Sequence, residues 1–278
     1  MGMETRKPYP SDLTDAQFEL IASHLPTQKK TGRKSTISRR EILNAILYKV
    51  KTGCQWNALP HDLPNHKTVY TYFTWWTLEG RLDAILTTLR EAVRIQEGRE
   101  ATPSAAIIDS QSVKTTAYGG EEGSIGVDGH KRVNGRKRHL LVDTLGLLLA
   151  VVVTAANLPD REGARQLAPA CSAFPRLVKI WVDGSYTGDV KALYADQHQI
   201  DFEIVEKPAD QKGFAVSPKR WVVERSLAWL GWYRGLSRDY EYCVRHSEST
   251  IKLAQIHMMI RRLKPSQEPG AQQDGAIA

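Results

Sequence analysis

Two short apolar runs, Ala105-Ala-Ile-Ile108 and Val178-Lys-Ile-Trp-Val182, each end in an aspartate, Asp109 and Asp183. Short aliphatic runs bounded by turn signals read as buried strands. A carboxylate at the end of such a strand is costly to bury unless it is paired or bound to a metal. A third acid, Glu224, lies in PKRWVVERSLAWLGWYRG, a helix-like segment that also carries arginines. The chain therefore needs a fold in which a sheet brings two carboxylates to corresponding strand ends and a basic helix supplies the third. Two-metal phosphoryl transfer requires such a set, because cations about 3.5–4 Å apart must share an oxygen ligand while each keeps its own.

The pattern around these acids is α/β. ATPSAAIIDSQSV is strand-like, and a Gly-rich, charged loop is predicted over 117–138. HLLVDTLG and LLLAVVVTAAN read as a β-hairpin turning near Gly146. Helical REGARQLAPACSAF, strand LVKIWVDG, helical GDVKALYADQHQ and strand IDFEIVEK follow, and then the Trp-rich helix from Pro218. A hairpin followed by alternating helix and strand predicts a mixed β-sheet flanked by helices over residues 101–264.

Residues 1–100 read as an all-α, helix-turn-helix-like domain. LTDAQFELIASHL has Ser11 and Thr14 as candidate caps and apolar residues at helical spacing. Ser38 and Glu41 form a capping-box pattern before EILNAILYKVKTG, which Gly53 ends. A third helical stretch, KTVYTYFTWWTLEGRLDAILTTLREAV, carries a possible break at Gly80. Its aromatics, Tyr70, Tyr72, Phe73, Trp75 and Trp76, are at a density more typical of core than of a base-stacking surface. Residues 265–278 lack apolar periodicity and are expected to form a disordered tail.

Charge and cysteine usage narrow the setting. Lys and Arg total 38 against 31 Asp and Glu, a net +7 that favours a polyanionic partner. Three widely separated cysteines, with no CxxC, read as reduced packing thiols. The polar segment MGMETRKPYPSD lacks a signal-peptide core, and no apolar run approaches a membrane span, so a soluble cytoplasmic protein is expected. Two segments concentrate the basic charge. His130–His139 carries Lys131, Arg132, Arg136, Lys137 and Arg138, and the connector Lys29–Arg40 includes Arg33, Lys34, Arg39 and Arg40. The first is expected to lie along a phosphate backbone; in the connector Arg33 and Lys34 would enter a minor groove while Arg39 and Arg40 approach phosphates, and His139 is the histidine placed to meet DNA.

On a helical projection Arg220 falls about 40° from Glu224, whereas Trp221, Trp229 and Trp232 share a different face, expected to pack inward. DSQSVK, GRKRHLLVDTLG, WVDGSYTG and RWVVERSLAWLGWYRGLSRDYE resemble the catalytic region of insertion sequence 5 family transposases. LTDAQFELI, GRKSTISRREILNAILYKVKTGCQWNALP and TVYTYFTWW are similar to the helical domain that precedes it. The resemblance covers roughly residues 10–264. It implies an RNase H-like core and a DDE triad carried by Asp109, Asp183 and Glu224. The wider signature places a Tyr, an Arg, the Glu and a Lys on one helix; here Arg220 matches, while Ser217 and Gly231 stand at the Tyr and Lys positions.

Residues and resemblance together predict an enzyme that cleaves insertion-sequence ends and joins the 3′-OH to target DNA. Asp109 would bridge two Mg²⁺ ions, for which Mn²⁺ substitutes, and Asp183 and Glu224 would complete the coordination. Arg220, with Arg234 or Arg238, would hold the scissile phosphate. Double-stranded DNA is the expected partner and a homodimer the expected synaptic assembly. Two alternatives stay open: an RNase H-like nuclease without strand transfer, and a non-catalytic DNA-binding regulator derived from a transposase.

Overall fold

The run Ala105–Ile108 opens a longer strand than its apolar length suggests, β1 (Ala105–Lys114), which continues past Asp109. A computed structural model describes residues 6–26, 37–117, 119–205 and 219–265 of the chain. Within it β1 is the central strand of a mixed sheet. It pairs antiparallel with β3 (Val133–Asp143), from Ala106 opposite Asp143 to Lys114 opposite Gly135. On its other edge it runs parallel to β5 (Lys179–Val182), with Ile107 opposite Trp181. Outside β5 lies β6 (Asp201–Ile204), also parallel. The outer edge of β3 carries β4 (Leu148–Ala155) and the short β2 (Gly126–Asp128), both antiparallel.

The expected hairpin turns where it should. Gly146 has φ 81°, a left-handed conformation that glycine adopts at little cost. Asp143 holds the turn by accepting the Leu145 and Leu147 N–H groups at 2.9 Å each, and its other oxygen pairs with Arg94.

Residues alternate between the two faces of β1 and β3, and each face has its own core. Ala106, Ile108 and Leu141 pack with Leu167 of α5 (Asp160–Leu167) and with Val190 and Tyr194 of α6 (Val190–His198). Ile107, Leu140 and Val142 face α7 (Trp221–Leu230) and α8 (Val244–Leu263), where Val223, Leu227, Ile251 and Ile256 join them. This second core runs on without a break into the amino-terminal helices.

Those helices begin where their sequence signals say, but the first is shorter than LTDAQFELIASHL suggests: it ends at Glu19, and only a short turn, Ala22–His24, follows. Thr14 caps the short α1 (Asp15–Glu19) in a reciprocal capping box with Gln17. Ser38 accepts the Glu41 N–H at 3.1 Å to start α2 (Arg39–Thr52), and Gly53, at φ 72°, ends it. The Glu41 carboxylate does not complete a box there; it turns to Arg6 and Asn44. Gly80, at φ 67°, divides the third stretch into α3 (His66–Leu78) and α4 (Arg81–Gln96). On α3 the aromatics split by face: Phe73 and Trp76 are buried, Tyr70 and Trp75 exposed. α4 packs on α8.

The charged segment 130–139 departs from expectation. Instead of a loop it forms a tight turn and then most of β3, and of its five Lys and Arg residues only Lys131 and Arg132, at the turn, are exposed. Arg136, Lys137, Arg138 and His139 are all buried. The alternation of the strand sends Arg136 and Arg138 to the α7 side and Lys137 and His139 to the α5 side. Elements cover both sides.

Arg136 donates to the Ser124 hydroxyl at 2.9 Å, to the Glu241 and Tyr242 carbonyls at 2.7 Å each, and pairs with Asp239 at 3.2 Å. Arg138 donates to the Leu236 carbonyl at 2.8 Å, and burial pushes its guanidinium down to about 10 while Asp239 opposes the shift. His139 bonds Thr154, and burial pushes its imidazole down to about 4. A Cβ on Gly163 of α5 would fall 2.1 Å from the His139 ring, so helix and strand touch there. These buried charges hold the protein together and present no surface to DNA in this conformation. Periodicity misled because five charges in ten residues resemble a solvated loop, whereas pairing makes them tolerable inside.

The assignment is testable. Arg136→Met leaves Asp239 buried without its cation and is expected to cost about 3–5 kcal/mol of stability, while Lys131→Ala stays within ~0.5 kcal/mol of the parent. Urea unfolding of the two variants measures both, and an Arg136 variant as stable as the Lys131 variant would contradict a structural role.

Candidate functional site

The parallel register of β1 and β5 puts the two aspartates side by side. Ala105 pairs with Lys179 and Ile107 with Trp181, so the same offset carries Asp109 to Asp183, two residues beyond the last paired position. There β5 ends and Asp183 enters a turn, whereas β1 continues. Asp109 therefore stands mid-strand, at the end of its pairing with β5. Asp183 is set by its own turn: its Oδ1 accepts the Ser185 N–H at 2.8 Å and also the Ser185 hydroxyl.

α7 delivers the rest. Arg220 immediately precedes its first helical residue and Glu224 lies in its first turn, where the helix dipole favours a negative charge. A single nitrogen, Arg220 Nη2, lies 3.7 Å from Asp109 Oδ2, 3.4 Å from Asp183 Oδ2 and 3.6 Å from Glu224 Oε1. Side-chain exposure rises from 12% at Arg220 and 15% at Asp109 to 31% at Asp183 and 46% at Glu224, so the cluster opens to solvent on the Glu224 side.

Burial pushes the Asp109 carboxyl up to about 6. The Ser110 N–H, at 2.7 Å, and Arg220 pull it back, and the charges of Asp183 and Glu224 add to the rise. The donor set is oxygen only, which suits hard cations such as Mg²⁺ or Mn²⁺. Among the described residues no group of three Asp, Glu, His or Cys side chains is close enough, as it stands, to hold one ion. The cation at the centre is Arg220.

Behind Asp109, on the α5 face, lies a polar network that the sequence did not flag. Ser110 Oγ donates to Asp160 Oδ1 at 2.7 Å, and Lys137 Nζ sits 3.1 Å from the same oxygen. Although burial pushes the Asp160 carboxyl up, the Ser110 and Lys137 hydrogen bonds hold it below its ordinary value. Tyr186, fully buried, places its phenol within the field of Asp109, Asp160 and Asp183. The only available signal was Tyr186 itself, an aromatic three residues after Asp183 in DGSYTG.

The other predicted basic residues disperse. α7 stops at Leu230, so Arg238 does not continue the Arg220–Glu224 face. Arg234 and Arg238 are exposed in and after a short turn, Arg234–Leu236. Gly231, at the signature Lys position, closes α7. Lys131 and Arg132 lie eight or nine residues along the β3 hairpin from Leu140, the partner of Asp109, roughly 25–30 Å in extended chain. They cannot sit beside the acids. Arg39 stacks on Tyr72 and donates to its hydroxyl at 2.6 Å, and Arg40 pairs with Asp15 and donates to the Leu13 carbonyl at 2.9 Å. Arg33, Lys34, Ser217 and residues 266–278 of the expected tail lie outside the described residues.

The tryptophan face also differs. Val222, Val223, Ser226, Leu227 and Leu230 make the buried side of α7, while Trp221 and Trp232 are exposed. Arg225 lies between the Trp221 and Trp229 rings, at 4.4 and 4.6 Å.

A family described as the transposase DDE domain matches residues 100–251, a little over half of the chain and all three acids. The chain belongs to this family. A second family, described as a putative transposase of the IS4/5 family, matches residues 13–86, the amino-terminal helices. The resemblance carried by the sequence motifs thus holds, and the mixed sheet flanked by helices is the RNase H-like architecture it implied. A putative transposase for insertion sequence element IS402 of Burkholderia cepacia is 29% identical over 118 residues, covering 38% of this chain and 54% of that protein. An uncharacterized protein, y4sN, of Sinorhizobium fredii is 30% identical over 102 residues, covering 37% of this chain and 75% of its own length. The chain thus spans about half the length of the first of these relatives. Among the described residues no helix is long and apolar enough to cross a membrane.

The Asp109 environment predicts a pH-dependent stability. The folded protein keeps this proton to about pH 6, while an unperturbed carboxyl releases it near 3.8. The contribution to stability is complete below about pH 4 and is lost as pH rises through 6. Asp109→Asn, which cannot ionise, should match the parent at pH 4 and exceed it by about 2 kcal/mol at pH 8, at ~1.4 kcal/mol per pH unit. Urea midpoints in metal-free buffer at the two pH values test this, and a gap independent of pH would refute it.

Proposed function

We propose that the chain is a metal-dependent DNA transposase that cleaves the ends of its insertion sequence and joins them to target DNA. One observation carries the reading: Asp109, Asp183 and Glu224, from a strand, the turn after its parallel neighbour and a helix, converge on one cationic nitrogen at 3.4–3.7 Å. Membership of the DDE transposase family supports it.

Asp109, Asp183 and Glu224 would hold two Mg²⁺ ions, with Mn²⁺ as a substitute. When bound, such ions supply Lewis-acid charge at the phosphoryl group and a water acidified towards neutral pH. The protein's own residues do the rest. The Ser110 N–H and the Ser185 N–H and hydroxyl fix the Asp109 and Asp183 carboxylates, so each keeps an oxygen turned to the centre. Arg220, with exposed Arg234 or Arg238 from the segment after α7, would bind the scissile phosphate.

Water forms a new bond to phosphorus at the transposon end and the 3′ oxygen leaves as a hydroxyl. That 3′-OH then attacks a phosphodiester of the target, displacing its 3′ oxygen. Lys131 and Arg132, distant from the acids, would contact flanking double-stranded DNA, and two copies of the chain would pair two ends.

The decisive substrate is a labelled duplex carrying the DNA from either side of the reading frame, incubated with Mg²⁺ and a supercoiled plasmid. The parent should release a 3′-OH end and transfer label to the plasmid. Asp109→Asn, Asp183→Asn and Glu224→Gln should each lose on the order of 10³-fold in rate, equivalent to several kcal/mol of charge stabilisation. Normal cleavage by Asp109→Asn would sink the assignment, and cleavage without joining would indicate a nuclease.

A further inference from the structure

Arg220 meets the three carboxylates in an unusual way. A guanidinium docked on one carboxylate forms two parallel bonds of about 2.7–2.9 Å. Here one nitrogen stands between three acids at 3.4–3.7 Å, and only the contact to Asp183 has hydrogen-bond geometry. The buried Arg220 Nε has no hydrogen-bond partner among the described residues. Arg136, by contrast, spends its fork on Ser124, Asp239 and two backbone carbonyls. Arg136 is locked by directed bonds, whereas Arg220 is held mainly by the sum of three negative charges.

A divalent cation bound by the same oxygens would need them at about 2.0–2.1 Å. Nη2 already occupies the common focus of those oxygens, and a guanidinium and a dication repel each other there. Both cannot sit at the centre. The site opens on the Glu224 side, which leaves the arginine a route towards solvent. Building on the metal-centre reading above, we infer that Arg220 is a placeholder cation. It neutralises the acids in the metal-free protein and is expelled by metal towards the position of the DNA phosphate. Metal and DNA binding are thereby linked: each metal-loading event frees the guanidinium that grips phosphate, and the coupling is reciprocal.

The test compares the parent with Arg220→Gln, using Mn²⁺ as the probe and the free-ion electron paramagnetic resonance signal as the readout, without DNA. Removing the competing cation should tighten Mn²⁺ binding about tenfold, an effect the size of one nearby charge. Mn²⁺ should also strengthen DNA binding by the parent more than by the variant. Equal or weaker Mn²⁺ binding by Arg220→Gln would overturn the exchange while leaving the metal centre standing. No Mn²⁺ binding by either protein would instead overturn the metal centre, and the exchange with it.

A measurement on the unaltered chain guards against a misfolded variant. The Arg220 Nε–H resonance, assigned by its absence in Arg220→Lys, should move to the free-arginine position in step with Mg²⁺ saturation. A resonance unmoved at saturation would overturn the proposal.

Discussion

A carboxylate in the middle of the central strand sets the terms for the whole sheet-containing half. Asp109 sits on β1 between two hydrogen-bonded neighbours, beside Ile107 and Leu140 of the core. Its desolvation is the largest influence on it, and a backbone N–H alone does not offset that cost. Every neighbouring element answers this one need. The parallel strand β5 stops as it brings Asp183 alongside, which leaves the sheet open beside Asp109. The start of α7 is then held against β1 with Arg220 pointing into the gap. The same three acids that call for a cation also make the site repulsive without one, so the geometry is stable only when something positive fills it.

The opposite end of β1 is organised by buried cations of another kind. Arg136 and Arg138 point from β3 towards the segment after α7 and hold it chiefly through backbone carbonyls, those of Leu236, Glu241 and Tyr242. Carbonyls carry no side-chain specificity, so the exposed positions between them can vary in chemistry, while the buried Asp239 and Glu241 are tied by side chain to Arg136 and Lys49. Arg234 and Arg238 lie exposed on the same segment. The sheet thus uses positive charge twice, buried to position a loop and exposed on the loop itself.

Much of this was legible in the sequence, and the failures share a cause. The strands β1, β5 and β6, the turn at Gly146, the break at Gly80 and the caps Thr14, Ser38 and Gly53 all follow from local chemistry that acts within a few residues. So does the i,i+4 placement of Arg220 and Glu224. What could not be read was burial decided by distant partners. Arg136 and Arg138 look solvated until Asp239 and the carbonyls of the chain about a hundred residues later are brought to them, and Lys137 and His139 until Leu158, Asp160 and Thr154 cover them. The tryptophans of α7 look like core until Val223 and Leu227 are seen to face the sheet instead. Asp160 and Tyr186 join the site only because α5 and the turn after β5 pack on the Ser110 face of β1. Periodicity reports what a segment can bury, not what arrives to cover it.

The amino-terminal helices are bound to this machinery more closely than a tethered module would be. Gly235, inside the segment held by Arg138, lies so near α2 that a Cβ there would stand 2.7 Å from the Val50 carbonyl. The residue before Val50, Lys49, is buried and pairs with Glu241, whose own carbonyl receives Arg136. A continuous chain of contacts therefore runs from α2 through Glu241 and Arg136 to β3, and β3 is the strand that holds β1 and Asp109 in register. A glycine at 235 is what the close approach demands, because any side chain would push α2 and the Arg234 turn apart. Since both termini of that chain are rigid elements, a displacement of α2 must move the Arg234–Leu236 turn or break the Lys49–Glu241 pair.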